Sequence, residues 1–184
     1  MPYSSKDARN LMISSVLSED PVLYIDDRWL YDIEEEYSEI EILDINEIEP
    51  NIIKKGNDIT MVGVGHTVKL ILESSNKLKG IYPEIIDLRV LNPINFNKII
   101  RSVEKTGRLC VVDGDWSSCG IAGEIIASVV EKINPAKIKS SPIRITLPDS
   151  PAPTSKILEE EYYIDVNEII RKVKNIISWN GLLI

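Results

Sequence analysis

From Asn51 onward, short apolar runs alternate with segments whose apolar residues recur every three or four positions. Ile59-Thr-Met-Val-Gly-Val reads as a buried strand, and Val68, Ile71, Leu72 and Leu78 then fall mostly on one helical face. Residues 82–88 form a second strand pattern, with Pro83 tolerable only near its start. Phe96, Ile99, Ile100 and Val103 sit at i, i+3, i+4 and i+7, an amphipathic helix for which Asn95 is the expected cap. Residues 109–112 are a third strand, and 121–133 a helix apolar on nearly all sides, which predicts deep burial. A fourth strand spans 143–147. Val166, Ile169, Ile170, Val173, Ile176 and Ile177 stripe a last helix, with Asp165 and Glu168 at capping-box spacing before it. Strand and helix alternating four times predict an α/β fold, a three-layer α/β/α sandwich around a mostly parallel sheet with right-handed crossovers.

Residues 1–50 break that rhythm. Ala8, Leu11, Met12 and Ser15 predict a short helix starting near Ser5, and Pro21-Val-Leu-Tyr-Ile a strand. Ile40, Ile42 and the stretch 45–53 read as extended. Glu34-Glu-Glu-Tyr-Ser-Glu is a charge run suited to a solvated loop. One helix and one strand cannot bury enough apolar surface to fold alone, so this segment resembles the end of a preceding domain. The division is therefore an arm, 1–50, and an α/β domain, 51–184.

Charge sharpens the division. The arm holds 3 basic and 14 acidic side chains, whereas residues 51–184 hold 18 and 15, within a total of −8 over 184 residues. An acidic chain without clustered Lys and Arg argues against nucleic acid as a partner. No apolar run approaches the ~20 residues of a membrane span, and no signal-peptide pattern opens the chain, so the expected location is cytoplasmic. Cys110 and Cys119 form no CxxC and have no histidine cluster beside them, which predicts reduced, partly buried thiols rather than a zinc site.

The stretch LCVVDGDWSSCGIAGEII, from Leu109, concentrates the residues that could carry chemistry. Gly114 suggests an unusual backbone conformation at the end of the third strand. Gly120 and Gly123 suggest close approach of helix to sheet. No GxGxxG follows the strand, which disfavours a dinucleotide site. Trp116 is either a packing plug or an anchor for another subunit. Ser117 and Ser118 have no base nearby in sequence, so no nucleophilic dyad is available. The acids Asp26/Asp27 and Asp113/Asp115 are more simply turn residues than an acid/base couple. His66, the only histidine, follows Gly63-Val-Gly at a helix start on the carboxyl edge of the sheet, where open α/β folds bind ligands; the simpler reading is a loop side chain.

Several segments carry a family resemblance. Ile86-Asp-Leu-Arg-Val-Leu-Asn-Pro, Ser102-Val-Glu-Lys-Thr-Gly-Arg, Val112-Asp-Gly-Asp-Trp, Gly120-Ile-Ala-Gly-Glu-Ile and Pro148-Asp-Ser-Pro-Ala-Pro-Thr are collinear with the beta subunit of thiamine-diphosphate-dependent 2-oxoacid dehydrogenases. Upstream, Asp7-Ala-Arg-Asn-Leu and Pro21-Val-Leu-Tyr-Ile-Asp-Asp-Arg-Trp-Leu-Tyr resemble the end of that family's pyrimidine-binding domain. The whole is similar to the transketolase C-terminal domain type. The run at 102–108 favours the dehydrogenase over a transketolase or deoxyxylulose-phosphate synthase; a non-catalytic module derived from such a domain is the other alternative.

The resemblance implies no catalytic, cofactor-binding or metal-binding residue in this chain. The glutamate that activates the aminopyrimidine lies in the earlier part of the family's pyrimidine domain. The Gly-Asp-Gly that holds magnesium and diphosphate belongs to the partner subunit, and Asp113-Gly114-Asp115 has the reverse order. Thiamine diphosphate and magnesium are thus expected in a complete assembly and not in the isolated chain, which is expected to be inactive. The implied partners are the alpha subunit and the dihydrolipoyl acyltransferase, with Asp113, Asp115 and Trp116 as the partner-binding residues; separately, apolar surface left exposed where a preceding domain would pack suggests a homodimer. The tail Ser178-Trp-Asn-Gly-Leu-Leu-Ile is longer and more apolar than the family leads one to expect.

Overall fold

The computed structural model describes residues 1–178 and contains one five-stranded sheet. The strands are β1 (Asn51–Lys54), β2 (Ile59–Gly63), β3 (Pro83–Asp87), β4 (Leu109–Trp116) and β5 (Ile143–Leu147). Their order is β1-β3-β2-β4-β5, with β1 antiparallel and the other four parallel. The helices are α1 (Ser5–Leu17), α2 (His66–Lys77), α3 (Asn97–Thr106), α4 (Ile121–Lys132), α5 (Lys156–Tyr162) and α6 (Val166–Ser178).

Successive strand residues point to opposite faces, and here each face feeds its own core. Ile59, Met61, Ile85, Cys110, Val112 and Ile145 join Ile71 of α2 and Ile169, Val173 and Ile176 of α6. Val62, Ile86, Leu109 and Val111 join Ile99 and Val103 of α3 and Ala122, Ile125 and Val129 of α4. This produces the three layers expected from the alternation. Thr60, the one polar residue in the middle strand, bonds Ser102 Oγ (2.7 Å) and Thr106 Oγ1 (2.9 Å) on α3, so its buried hydroxyl is satisfied.

The helix starts follow the sequence closely. Asn95, one residue before the N-cap position Phe96 of α3, accepts at Oδ1 from Asn97 N–H at 3.0 Å, and Asp165 Oδ1 accepts from Glu168 N–H at 2.9 Å. The reciprocal half of a capping box is replaced by a Glu168–Lys172 ion pair at 3.0 Å.

Four expectations change. β1 is an antiparallel edge strand that the β/α alternation does not contain. The helix α5 was not anticipated, and it has no buried residue. Deep burial of α4 is only half right: one face meets the sheet, and Val130 on the other is 43% exposed. Pro21-Val-Leu-Tyr-Ile is not a strand, because no described strand lies beside it to share backbone hydrogen bonds; Leu23 is 85% exposed. The charge run at 34–39 is a loop, as expected.

The arm lies against the carboxyl edge of the sheet. Arg89, just after β3, grips Asp7 of α1 with two hydrogen bonds of 2.7 and 2.8 Å. Arg9 donates to the carbonyls of Ser38 and Glu39, and Ser14 Oγ accepts from Leu43 N–H.

Two glycines beside α4 make opposite predictions. A Cβ on Gly120 would lie 2.3 Å from the Trp116 carbonyl oxygen, whereas one on Gly123 would meet nothing nearer than Arg144 Nη1 at 3.6 Å. Gly120→Ala should destabilise the fold by about 1–3 kcal/mol through overpacking. Gly123→Ala should stabilise it by about 0.5–1 kcal/mol, since only the helix preference of alanine acts there. Urea unfolding midpoints of the two variants check both signs.

Candidate functional site

Two chain reversals meet at the carboxyl ends of β2 and β4. From β2 the chain steps to β3 on one side, and from β4 to β5 on the other, so the two loops diverge and leave a crevice. A cavity of about 540 Å³ occupies it. Its floor is the turn into α2, where Gly65 adopts φ 55° and Thr67 Oγ1 both accepts from Val64 N–H and donates to Val64 C=O. Gly114 of β4 forms the facing wall, and α5 with Tyr163 the rim.

His66 stands at this crevice, as its position at a helix start on the carboxyl edge suggests. It is half-buried, and burial lowers its pKa below the usual histidine value, favouring the neutral ring near pH 7. Trp29 of the arm covers it, with ring centroids 4.5 Å apart in an edge-on contact, and Tyr163 meets Trp29 at 4.8 Å. Such pairs contribute about 0.5–1.5 kcal/mol each beyond buried area. The roof of the crevice is therefore aromatic and supplied by a segment remote in sequence, which no local pattern could have indicated.

The corner after β4 is built from Asp113. This side chain is 4% exposed, and its Oδ2 accepts from Ala122 N–H (2.9 Å) while Oδ1 accepts from Asp115 N–H (3.2 Å). A carboxylate thus caps α4 from the preceding strand, at the positive end of the helix dipole. Burial raises its pKa, and the two backbone N–H groups act against that rise. Gly114 continues the strand without a left-handed φ; the left-handed residue of this corner is Cys119, at φ 61°. The expectation for Gly114 is corrected accordingly, and Gly120 is the glycine that close approach requires.

Asp115 and Trp116 face solvent, whereas Asp113 does not. Asp115 Oδ1 accepts from Trp116 N–H, and Trp116 is 42% exposed, donating from Nε1 to Tyr162 Oη at 3.1 Å. Tyr162 in turn donates to Ser150 C=O. The three residues expected to meet a partner are therefore divided: two are presented and one is enclosed. Trp116 is a side chain anchored at one end and open at the other.

Ser117 and Ser118 both direct their hydroxyls to Asp149, with Ser118 Oγ at 2.9 Å. The Ser118 hydroxyl and amide hold the Asp149 carboxyl below its usual pKa. A serine that donates to an acid, with no imidazole among its hydrogen-bond partners, is not activated as a nucleophile. Cys110 is buried with its thiol pushed up to about 12, and Cys119 is exposed. Among the described residues, no group of three or more His, Cys, Asp or Glu side chains could hold a metal ion.

The comparisons with known proteins place this geometry in a family. Residues 48–169 match the family described as Transketolase, C-terminal domain. The chain is similar to the beta subunit of acetoin:2,6-dichlorophenolindophenol oxidoreductase from Bacillus subtilis (strain 168), at 34% identity over 92% of this chain and 50% of that protein. It is also similar to the mitochondrial pyruvate dehydrogenase E1 component subunit beta of Saccharomyces cerevisiae, at 32% identity over 97% of this chain and 50% of that one. The corresponding subunit of Staphylococcus aureus (strain Mu50) is 33% identical over 97% and 55%. The chain thus spans about half the length of the curated relatives it matches. The solved structure of a split-gene transketolase, an inactive beta4 tetramer, aligns with TM-score 0.76 at 18% identity, covering 97% of this chain and 56% of that one, a likeness of fold. The motifs that resemble dehydrogenase beta subunits therefore point to the same relatives as the whole chain does, and the chain belongs to the transketolase C-terminal domain family.

Proposed function

We infer that this chain serves as the C-terminal domain of a beta subunit in a thiamine-diphosphate-dependent 2-oxoacid dehydrogenase. Its work is assembly: bracing cofactor-binding domains at a subunit interface and docking the acyltransferase. The observation that carries this reading is the likeness to dehydrogenase beta subunits over nearly the whole chain, arm included. In such an assembly a 2-oxoacid is decarboxylated on thiamine diphosphate and the acyl group passes to lipoamide. The proposed partners are the alpha subunit, the dihydrolipoyl acyltransferase and a second copy of the chain, and the proposed location is the cytoplasm. No helix among the described residues is long and apolar enough to cross a membrane.

Among the described residues, the Asp113-Gly-Asp corner does not fit magnesium and diphosphate. The two carboxylates of Asp113-Gly-Asp do not converge, since one turns inward to α4 and the other bonds the adjacent backbone. Thiamine diphosphate and magnesium are accordingly assigned to other parts of the assembly. Calorimetry of the purified chain with magnesium and thiamine diphosphate should show no micromolar binding, and should show it once the alpha subunit and a pyrimidine-binding domain are added. Micromolar binding by the chain alone would overturn this assignment.

A second reading concerns the substrate. Two of the relatives are acetoin oxidoreductase subunits, at 34% and 36% identity. Acetoin is thus an alternative to a 2-oxoacid, and parallel turnover assays of the assembled enzyme on pyruvate, branched-chain 2-oxoacids and acetoin separate the two.

Association is supported by apolar side chains that the arm leaves in water, including Met12, Val16 and Leu17 of α1 and Leu23 beyond it. Sedimentation of the purified chain should give a dimer; a clean monomer counts against the second copy as a partner. Docking is supported by the exposed pair Asp115 and Trp116. An acidic rim around an aromatic anchor suits a basic binding domain. Trp116→Ala should weaken binding of the acyltransferase peripheral domain by tenfold or more, on the order of 1.4 kcal/mol. Asp115→Asn should reduce its salt dependence. Unchanged affinity in both titrations would move the docking surface elsewhere.

A further inference from the structure

The carboxyl end of β3 holds a charged group that the proposed function does not use. Asp87 is 1% exposed, between Asn51 of β1 and Gly63 of β2. Its Oδ1 accepts from Arg89 N–H at 3.1 Å, while its Oδ2 is buried with no hydrogen-bond partner. Directly above it, Arg89 makes its two-pronged grip on Asp7 of α1, with side chains only 15% and 12% exposed. Arg89 itself sits at φ 62°, and the Met1 amino group donates to its carbonyl at 2.8 Å. The arm is thus fastened to the sheet through a cluster of two acids, one guanidinium and one amine.

A buried carboxylate with an orphaned oxygen and a second carboxylate beside it favours its protonated form. The groups acting on Asp87 are Asp7 from α1, the Met1 amino group and Arg89, and Tyr3 lies close enough to sense its charge; the flanking strand residues Asn51 and Gly63 do not titrate. Burial, the largest influence, and Asp7 raise its pKa to about 7, against the pull of the Arg89 amide, the Arg89 charge and the Met1 amine. An exposed aspartate releases its proton near pH ~3.9.

We propose that Asp87 is a proton-operated latch, which fastens the arm to the sheet edge when protonated and loosens it when ionised. The seated arm places Asp7 beside the buried Asp87, whose pKa is raised to about 7, so the contribution of this group is fully present below about pH 4 and is lost as the pH rises through about 7. Two groups work in the opposite sense. Burial lowers the pKa of the Met1 amine and of His66, so each favours the seated arm as pH rises. The latch is consequently read from a comparison that leaves both of those in place. The same arm carries Trp29 onto His66, so its fastening bears on the cover of the crevice.

Hydrogen exchange of α1 amides, normalised to α3 amides in the same molecule, tests this on the whole chain and on Asp87→Asn from about pH 5.5 to about pH 8. The variant keeps an uncharged side chain at every pH. Its α1 protection relative to wild type should rise about tenfold or more across the window. A ratio that stays constant within about twofold overturns the latch, and so does joint exchange of α1 and α3 at every pH. The wild-type carboxyl resonance of Asp87, followed by carbon NMR, decides the matter if the variant does not fold. A midpoint near neutrality supports the latch, and one below about pH 5 overturns it.

Discussion

Every residue of β2 and β3, and the first five of β4, is buried. That constraint organises the rest of the molecule. A parallel sheet buried on both sides must be covered twice, and the covering helices must also carry the chain from the carboxyl end of one strand to the amino end of the next. The alternation of Met61 and Val62, facing opposite cores, is this demand expressed in adjacent residues. The divergence of the β2 and β4 loops, and hence the crevice, is its topological consequence.

At the corner after β4, an acid placed beside a helix start solves a structural problem. Unpaired N–H groups at the start of α4 need acceptors, and Asp113 supplies one from inside the fold. Its carboxylate is therefore committed, and so are Ser117 and Ser118 through Asp149. What remains uncommitted on the outer face is the half-open indole of Trp116 and the charge of Asp115. The corner is thus a structural brace whose outer face, Asp115 and Trp116, is open to solvent.

The arm is held differently. Its exposed apolar side chains contribute little where they lie, and the Arg89–Asp7 grip with its neighbours fastens it. Hydrogen bonds to charged groups contribute about 1.5–3 kcal/mol, and this part-buried pair makes two of them, whereas each aromatic contact that holds Trp29 over His66 contributes about 0.5–1.5 kcal/mol. The arm is thus attached by an ion pair at the end of β3, by Trp29 over His66 and by the buried side chains of Leu11 and Ile48.

By itself the sequence determined the parallel core, the amphipathic faces of α3 and α6, the caps at Asn95 and Asp165, and the likeness to dehydrogenase beta subunits. All of these rest on periodicity or on residues adjacent in the chain, which a linear reading can see. Only the tertiary structure decided that Pro21-Val-Leu-Tyr-Ile stays unpaired, since strand propensity is realised only where another strand offers hydrogen bonds. It also decided that Asp113 turns inward while Asp115 faces out, that Cys119 rather than Gly114 takes the left-handed turn, and that Trp29 and Asp7 reach His66 and Arg89. Side-chain direction at a corner and contacts between distant segments depend on where the whole chain closes upon itself, and no local spacing records that.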